Sequence, residues 1–159
     1  MPNWCKGELR VRGSWENIVK FLTEYIEPSN LGDPEDIRIF FYKEEVDSDT
    51  YGLEFVTKKW AHIKGTRRGF IVEQNRDFWK EQGEENTIIS LESSFAWGID
   101  VENLRNLSEE LGIDFRIYGF ERGMEFNQDI EIIAGTVTKN EIISFSCYTW
   151  ECIDPNKGG

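Results

Sequence analysis

Residues 3–13, NWCKGELRVRG, alternate with a period of two: Cys5, Leu9 and Val11 fall on one side, Lys6, Glu8, Arg10 and Arg12 on the other. That spacing predicts a strand with one face on a core and one in water. Gly13 then breaks the pattern and Ser14 is placed to cap a helix. Trp15, Ile18, Val19, Leu22 and Ile26 follow at helical spacing and make one apolar stripe. Pro28, Gly32 and Pro34 end it. Strand, tight turn and amphipathic helix are the opening unit, and any fold must provide a layer for both apolar faces.

A second unit lies near the far end. Asp100 is a candidate N-cap for a helix carrying Val101, Leu104, Leu107 and Leu111, with Gly112 as a left-handed stop and Ile113 as the contact beyond it. A strand over Phe115, Ile117 and Gly119 follows. Residues 129–137 and 141–148 read as two further strands, joined by a turn at Thr138, Lys139 and Asn140, with Ile143, Phe145 and Cys147 facing inward. In the middle, 37–44, 52–56, 70–73 and 87–97 read as strands, with an acidic turn at Glu44, Glu45, Asp47 and Asp49 and a helical stretch within 76–86. Trp15 and Trp97, each beside a cap and in phase with apolar neighbours, are expected in the core. These elements predict an α+β layer fold with a mostly antiparallel sheet and two main helices.

The 159 residues suit one domain, taken as 1–153 with 154–159 as a frayed tail. No apolar run approaches the length of a membrane helix, and the first residues lack the apolar segment of a secretory signal. Cys5, Cys147 and Cys152, an odd set without a CxxC pair, suit reduced thiols and a cytoplasmic protein. With 30 acidic against 18 basic residues, the net charge of −12 repels phosphate and disfavours a general nucleic-acid partner.

Two stretches resemble a known family. Asn3-Trp4-Cys5 followed by Leu9, Val11 and Gly13 is similar to the N-W-C-x-N-x-L-x-V-x-G opening of YubB-type ferredoxin-like domains of phage and conjugative-plasmid proteins. Ser94-Phe95-Ala96-Trp97, and after a helix Phe115 to Phe126 (with Glu121, Gly123 and Phe126), resemble that family's second signature. Gly7, Gly98-Ile99 and Asn127 depart from it. The resemblance implies a ferredoxin-like split β-α-β sheet, with residues 27–90 as an irregular β-rich insertion, and a mobile-element origin. It implies no activity and no iron–sulfur cluster.

Catalytic chemistry finds little purchase. His62 is the lone histidine and no nucleophile motif accompanies it. Glu121 sits among Phe120, Gly123 and Phe126, where a carboxylate serves either as an acid or base or as a strand-end hydrogen-bond acceptor; the second role is the commoner. The cysteines lack the ligand number and spacing of a zinc site. No catalytic residue, metal or cofactor is expected.

Charge segregation is the stronger signal. Between Thr57 and Val72 there is no acid, while Lys58, Lys59, Lys64, Arg67 and Arg68 accumulate around Trp60 and His62. These seven residues are the candidate partner-binding set, with Trp60 as an aromatic anchor. From Glu24 to Glu54 there are ten carboxylates against Arg38 and Lys43. The expectation is a non-enzymatic interaction protein that binds a host or phage protein, in one version as an acidic mimic of nucleic acid. Two other readings compete: a single-stranded nucleic-acid module using residues 58–68, and a small hydrolase using Glu121 or His62.

Overall fold

The computed structural model describes residues 1–29, 32–43 and 50–157. The expected acidic turn at Glu44, Glu45, Asp47 and Asp49 lies outside them. Eleven strands occur among the described residues: β1 (Trp4–Gly13), β2 (Ile26–Pro28), β3 (Ile37–Lys43), β4 (Thr50–Thr57), β5 (Ala61–Ile63), β6 (Gly69–Ile71), β7 (Gln74–Trp79), β8 (Thr87–Ala96), β9 (Asp114–Glu121), β10 (Phe126–Ile133) and β11 (Thr136–Ser144). The helices are α1 (Trp15–Glu24), α2 (Val101–Leu111) and a single turn, α3 (Tyr148–Glu151). Eight strands form one antiparallel sheet in the order β11-β10-β9-β1-β8-β6-β5-β2, and β3-β4-β7 form a second.

This corrects the expected fold class. The chain is mostly β, not a ferredoxin-like α+β domain built on two main helices. The apolar stripes after Ser14 and Asp100 do form helices, but of only 10 and 11 residues. Meanwhile most stretches read as strands find ladder partners, though the last ends at Ser144 and gives way to α3, and Arg76–Trp79, which had read as part of a helical segment, lies in β7. A polar run can alternate in a strand whose outer face is wet, and composition alone hides that.

One face of the large sheet meets both helices. Leu9 and Val11 of β1, Ile89, Leu91 and Phe95 of β8, and Phe115 and Ile117 of β9 bury against Ile18, Phe21 and Leu22 of α1 and Leu104, Leu107 and Leu111 of α2. Phe21 meets Phe115 edge to face at 5.7 Å. Local signals operate as expected at both helix ends. Ser14 Oγ accepts from the Asn17 amide at 3.2 Å, and Gly112 closes α2 in the left-handed region at φ 64°. Asp100 stands at the N-cap of α2, but its side chain makes no capping bond: its Oδ2 accepts from the Arg67 amide and from Asn103 Nδ2, both at 2.8 Å, and ties the β5–β6 turn to α2.

Three expectations are corrected in detail. The last hairpin turns at Ala134 and Gly135, at φ 48° and 75°, not at 138–140. Two consecutive left-handed residues make the turn that matches strand twist. Here Asp114 Oδ1 and Ser108 Oγ accept from their amides, which offsets the cost at Ala134. Trp97 is 58% exposed, because the chain leaves β8 at φ 67° and throws the indole outward; Trp15 is buried. Of the two cysteines expected inside, Cys5 is buried and Cys147 is exposed.

The second sheet branches from the first. Where β6 ends its pairing with β8, Gln74 takes over: its Nε2 donates to Glu92 O and its Oε1 accepts from the Glu92 amide. Arg76 continues along the same edge, donating to Ser90 O at 2.9 Å. At the opposite edge of the large sheet, β11 carries a one-residue irregularity. Glu131 pairs with Lys139 and Ile132 with Val137, so Thr138 has no partner, and its hydroxyl turns onto Glu131. Among the described residues no helix is long and apolar enough to cross a membrane.

Candidate binding face

The face of the large sheet turned away from the helices is laid out by strand register. Lys6 on β1 stands between Ser94 of β8 and Phe120 of β9. Beyond Ser94 the row continues through Phe70 of β6, His62 of β5 and Glu27 of β2. Beyond Phe120 it reaches Asn127 of β10. One row of side chains, aromatic and polar together, thus crosses seven strands.

The next row places Glu8 directly opposite Glu92. Like charges so placed repel, and each is answered from outside the row. Arg76 forks onto Glu8 at 2.9 and 3.0 Å, and Ser90 Oγ donates to it at 2.7 Å. Burial opposes ionisation of Glu8, yet these bonds hold its carboxyl below the usual carboxylate range. Glu92 takes Lys157 Nζ at 2.8 Å from the C-terminal segment, which raises the lysine's pKa. On the β10 side, Asp129 receives Lys139 at 2.7 Å together with Arg116; against the effect of burial these keep its carboxyl low.

Between this face and the C-terminal segment lies a groove of about 670 Å3. Lys6, Glu8 and Arg10 of β1, Tyr118 and Phe120 of β9, Ser94 of β8 and Trp60 line it, with Asp154 and Lys157 as the far wall. Tyr148 of α3 anchors that wall, packed between Phe120 and Phe145 under the Arg122 guanidinium.

The seven residues singled out from sequence sit at one corner of this face. Lys58, Lys59, Lys64, Arg67 and Arg68 are exposed, and Trp60 and His62 are half-buried. Trp60 meets Trp4 edge-on at 4.9 Å and Phe70 at 5.9 Å, and the Arg68 guanidinium lies 5.9 Å from the Trp4 ring centre. Lys59 reaches Asp36 at 3.2 Å. Among the described residues the side chains of Lys58, Lys64, Arg67 and Arg68 have no carboxylate within 4.0 Å. His62 is held on both nitrogens, by Glu27 Oε1 and Thr66 O, each at 2.9 Å.

Glu121 lies elsewhere. It is fully buried on the helix side of β9, and its two oxygens accept from the Gly123 and Met124 amides at 2.7 and 2.6 Å. Neither His62 nor Glu121 lines the groove. Sequence reasoning placed Lys6, Glu8 and Arg10 on a wet face but missed Ser94, Tyr118 and Phe120 as their neighbours. The alternation of β8 and β9 carried that signal; the pairing of both with β1 was needed to use it. Comparison with family models, with curated proteins and with solved structures finds no match to this chain.

Proposed function

We propose that this chain is a non-catalytic interaction protein of a phage or other mobile element, and that it docks on a partner protein through the corner around Trp60. The observation that carries this reading is the company Trp60 keeps. An aromatic cluster of Trp4, Trp60 and Phe70 stands beside four exposed cations with no described carboxylate within 4.0 Å, on a chain of net charge −12. A large ring flanked by unanswered charge is the make-up of an interface anchor. The partner surface that fits is acidic with an apolar recess for the indole. The mobile-element origin rests on the resemblance of the Asn3–Gly13 and Ser94–Phe126 stretches. The ten carboxylates that the sequence gathers from Glu24 to Glu54 support the version of this reading in which the chain is an acidic mimic of nucleic acid.

Reversing Lys58, Lys64, Arg67 and Arg68 to Glu is expected to leave the melting temperature within a few degrees of the parent. Partner association, read by surface capture from a bacterial lysate, should slow by about tenfold or more at low salt and lose its salt dependence. Unfolding of the variant would mean that the segment is paired within the chain; unchanged capture would move the docking surface to residues 24–54.

A second reading, single-stranded nucleic-acid binding, draws on the outward Trp60, Phe70 and Tyr118 beside Lys6 and Arg10, since bases stack on such rings. A gel shift at about 50 mM salt, where electrostatic affinity is high, decides it: no retardation there removes the reading.

A further inference from the structure

We propose that the groove on the open sheet face is a binding site for a small organic anion: one compact phosphate or carboxylate group carried on a flat ring, as in a mononucleotide. This goes beyond partner docking and stands whether or not the basic corner engages a protein. At about 670 Å3 the groove lies within the range that encloses a small ligand. Its walls supply rings, Trp60 on one side and Tyr118 with Phe120 on the other, for a planar body to lie against.

The charge of the ligand follows from what is already engaged. Glu8 is neutralised by Arg76 and Glu92 by Lys157, which also lies 3.8 Å from Asp154. Glu73 remains at the rim. Lys6 lines the groove half-buried, with no carboxylate within 4.0 Å among the described residues, and Arg10, further along the same strand face, is exposed and likewise has none. An ammonium framed by rings and left without a counter-ion in an acidic protein is suited to receive one from solution.

The second observation is independent of charge. Ser94, cross-strand from Lys6, is completely buried, and its Oγ has no hydrogen-bond partner. Buried hydroxyls are nearly always satisfied, and an orphan costs free energy. Ser94 borders the groove between Lys6 and Phe70 and is covered in the empty fold, so its hydroxyl meets an anionic oxygen only when the Lys6 side chain shifts to take the same anion. The chain's overall field sets an upper limit on ligand size. A net charge of −12 penalises a polyanion far more than a single anionic group.

The test is calorimetric titration of the full chain with adenosine 5′-monophosphate, salicylate, inorganic phosphate and a short oligothymidylate, followed by thermal melting of each variant. Adenosine monophosphate or salicylate should bind, and inorganic phosphate should bind more weakly for want of a ring. Lys6→Gln should weaken binding about tenfold, the worth of a charge-assisted hydrogen bond. Ser94→Ala should weaken it several-fold while the melting temperature holds or rises, because the deleted hydroxyl satisfies nothing in the empty fold. Lys20→Gln, exposed on α1 at the opposite face of the sheet, should change none of these affinities. The proposal is overturned if neither ring-bearing anion binds at millimolar concentration, or if both groove variants bind like the parent. Tighter binding of the oligothymidylate than of the mononucleotide would also overturn it, making a strand the occupant.

Discussion

Phe115→Ala is expected to lower the free energy of unfolding by about 3–5 kcal/mol, the usual cost of deleting a ring from a close-packed core. Phe115 joins the layers. On β9 it lies opposite Val11 of β1 and Ile132 of β10, and its ring meets Phe21 of α1 edge to face. Domains are stable by only some 5–15 kcal/mol, so one such cavity removes a large share of the margin. Urea denaturation measures it, and Phe115→Leu, which refills most of the volume, should recover more than half of the loss. A loss under about 1 kcal/mol for the alanine variant would mean that α1 is not held by this contact.

Glu121→Ala should be nearly as costly. The carboxylate closes the connection from β9 to β10 by accepting two backbone amides, and bonds to a charged acceptor contribute about 1.5–3 kcal/mol each. Gln is a poor substitute, since it offers one oxygen and turns an amino group towards the second N–H. The neighbouring Cys5 supplies a spectator. Burial above all, and then the Glu121 charge, push its thiol up to about 12. Losing the carboxylate removes only the smaller cause, so Cys5 should remain a slowly alkylated thiol in the folded variant. A Glu121→Ala protein as stable as its parent would return this residue to the list of chemical candidates, because its two backbone bonds would then be dispensable.

Local rules carried the sequence reading where the answer was local. Ser14, Gly112 and the alternation of Cys5, Leu9 and Val11 each depend on a few neighbours, and the structure places them accordingly. The reading failed where two left-handed residues had to be recognised without an Asn-Gly or Asp-Gly signal, at Ala134 and Gly135. It failed again where a backbone step decided the fate of a side chain, at Trp97. The fold class was misjudged for a related reason: β7 read as helical, which hid the third strand that makes β3 and β4 a sheet of their own, and β2 and β5 are only three residues each. The binding face was half legible. A run of cations declares itself in one dimension, whereas Ser94 gains significance only from standing beside Lys6, 88 residues away in sequence.

The unpaired Thr138 also changes what kind of edge β11 presents. An edge strand is an open template, and β11 carries exposed Ile142 and Ile143 in a run with few charges. A straight ladder there would invite a neighbour to add its own edge strand and a third to follow, the route by which soluble sheets become fibres. The odd residue bends the strand and puts its alternation out of step halfway along, so that no incoming segment can match both halves at once.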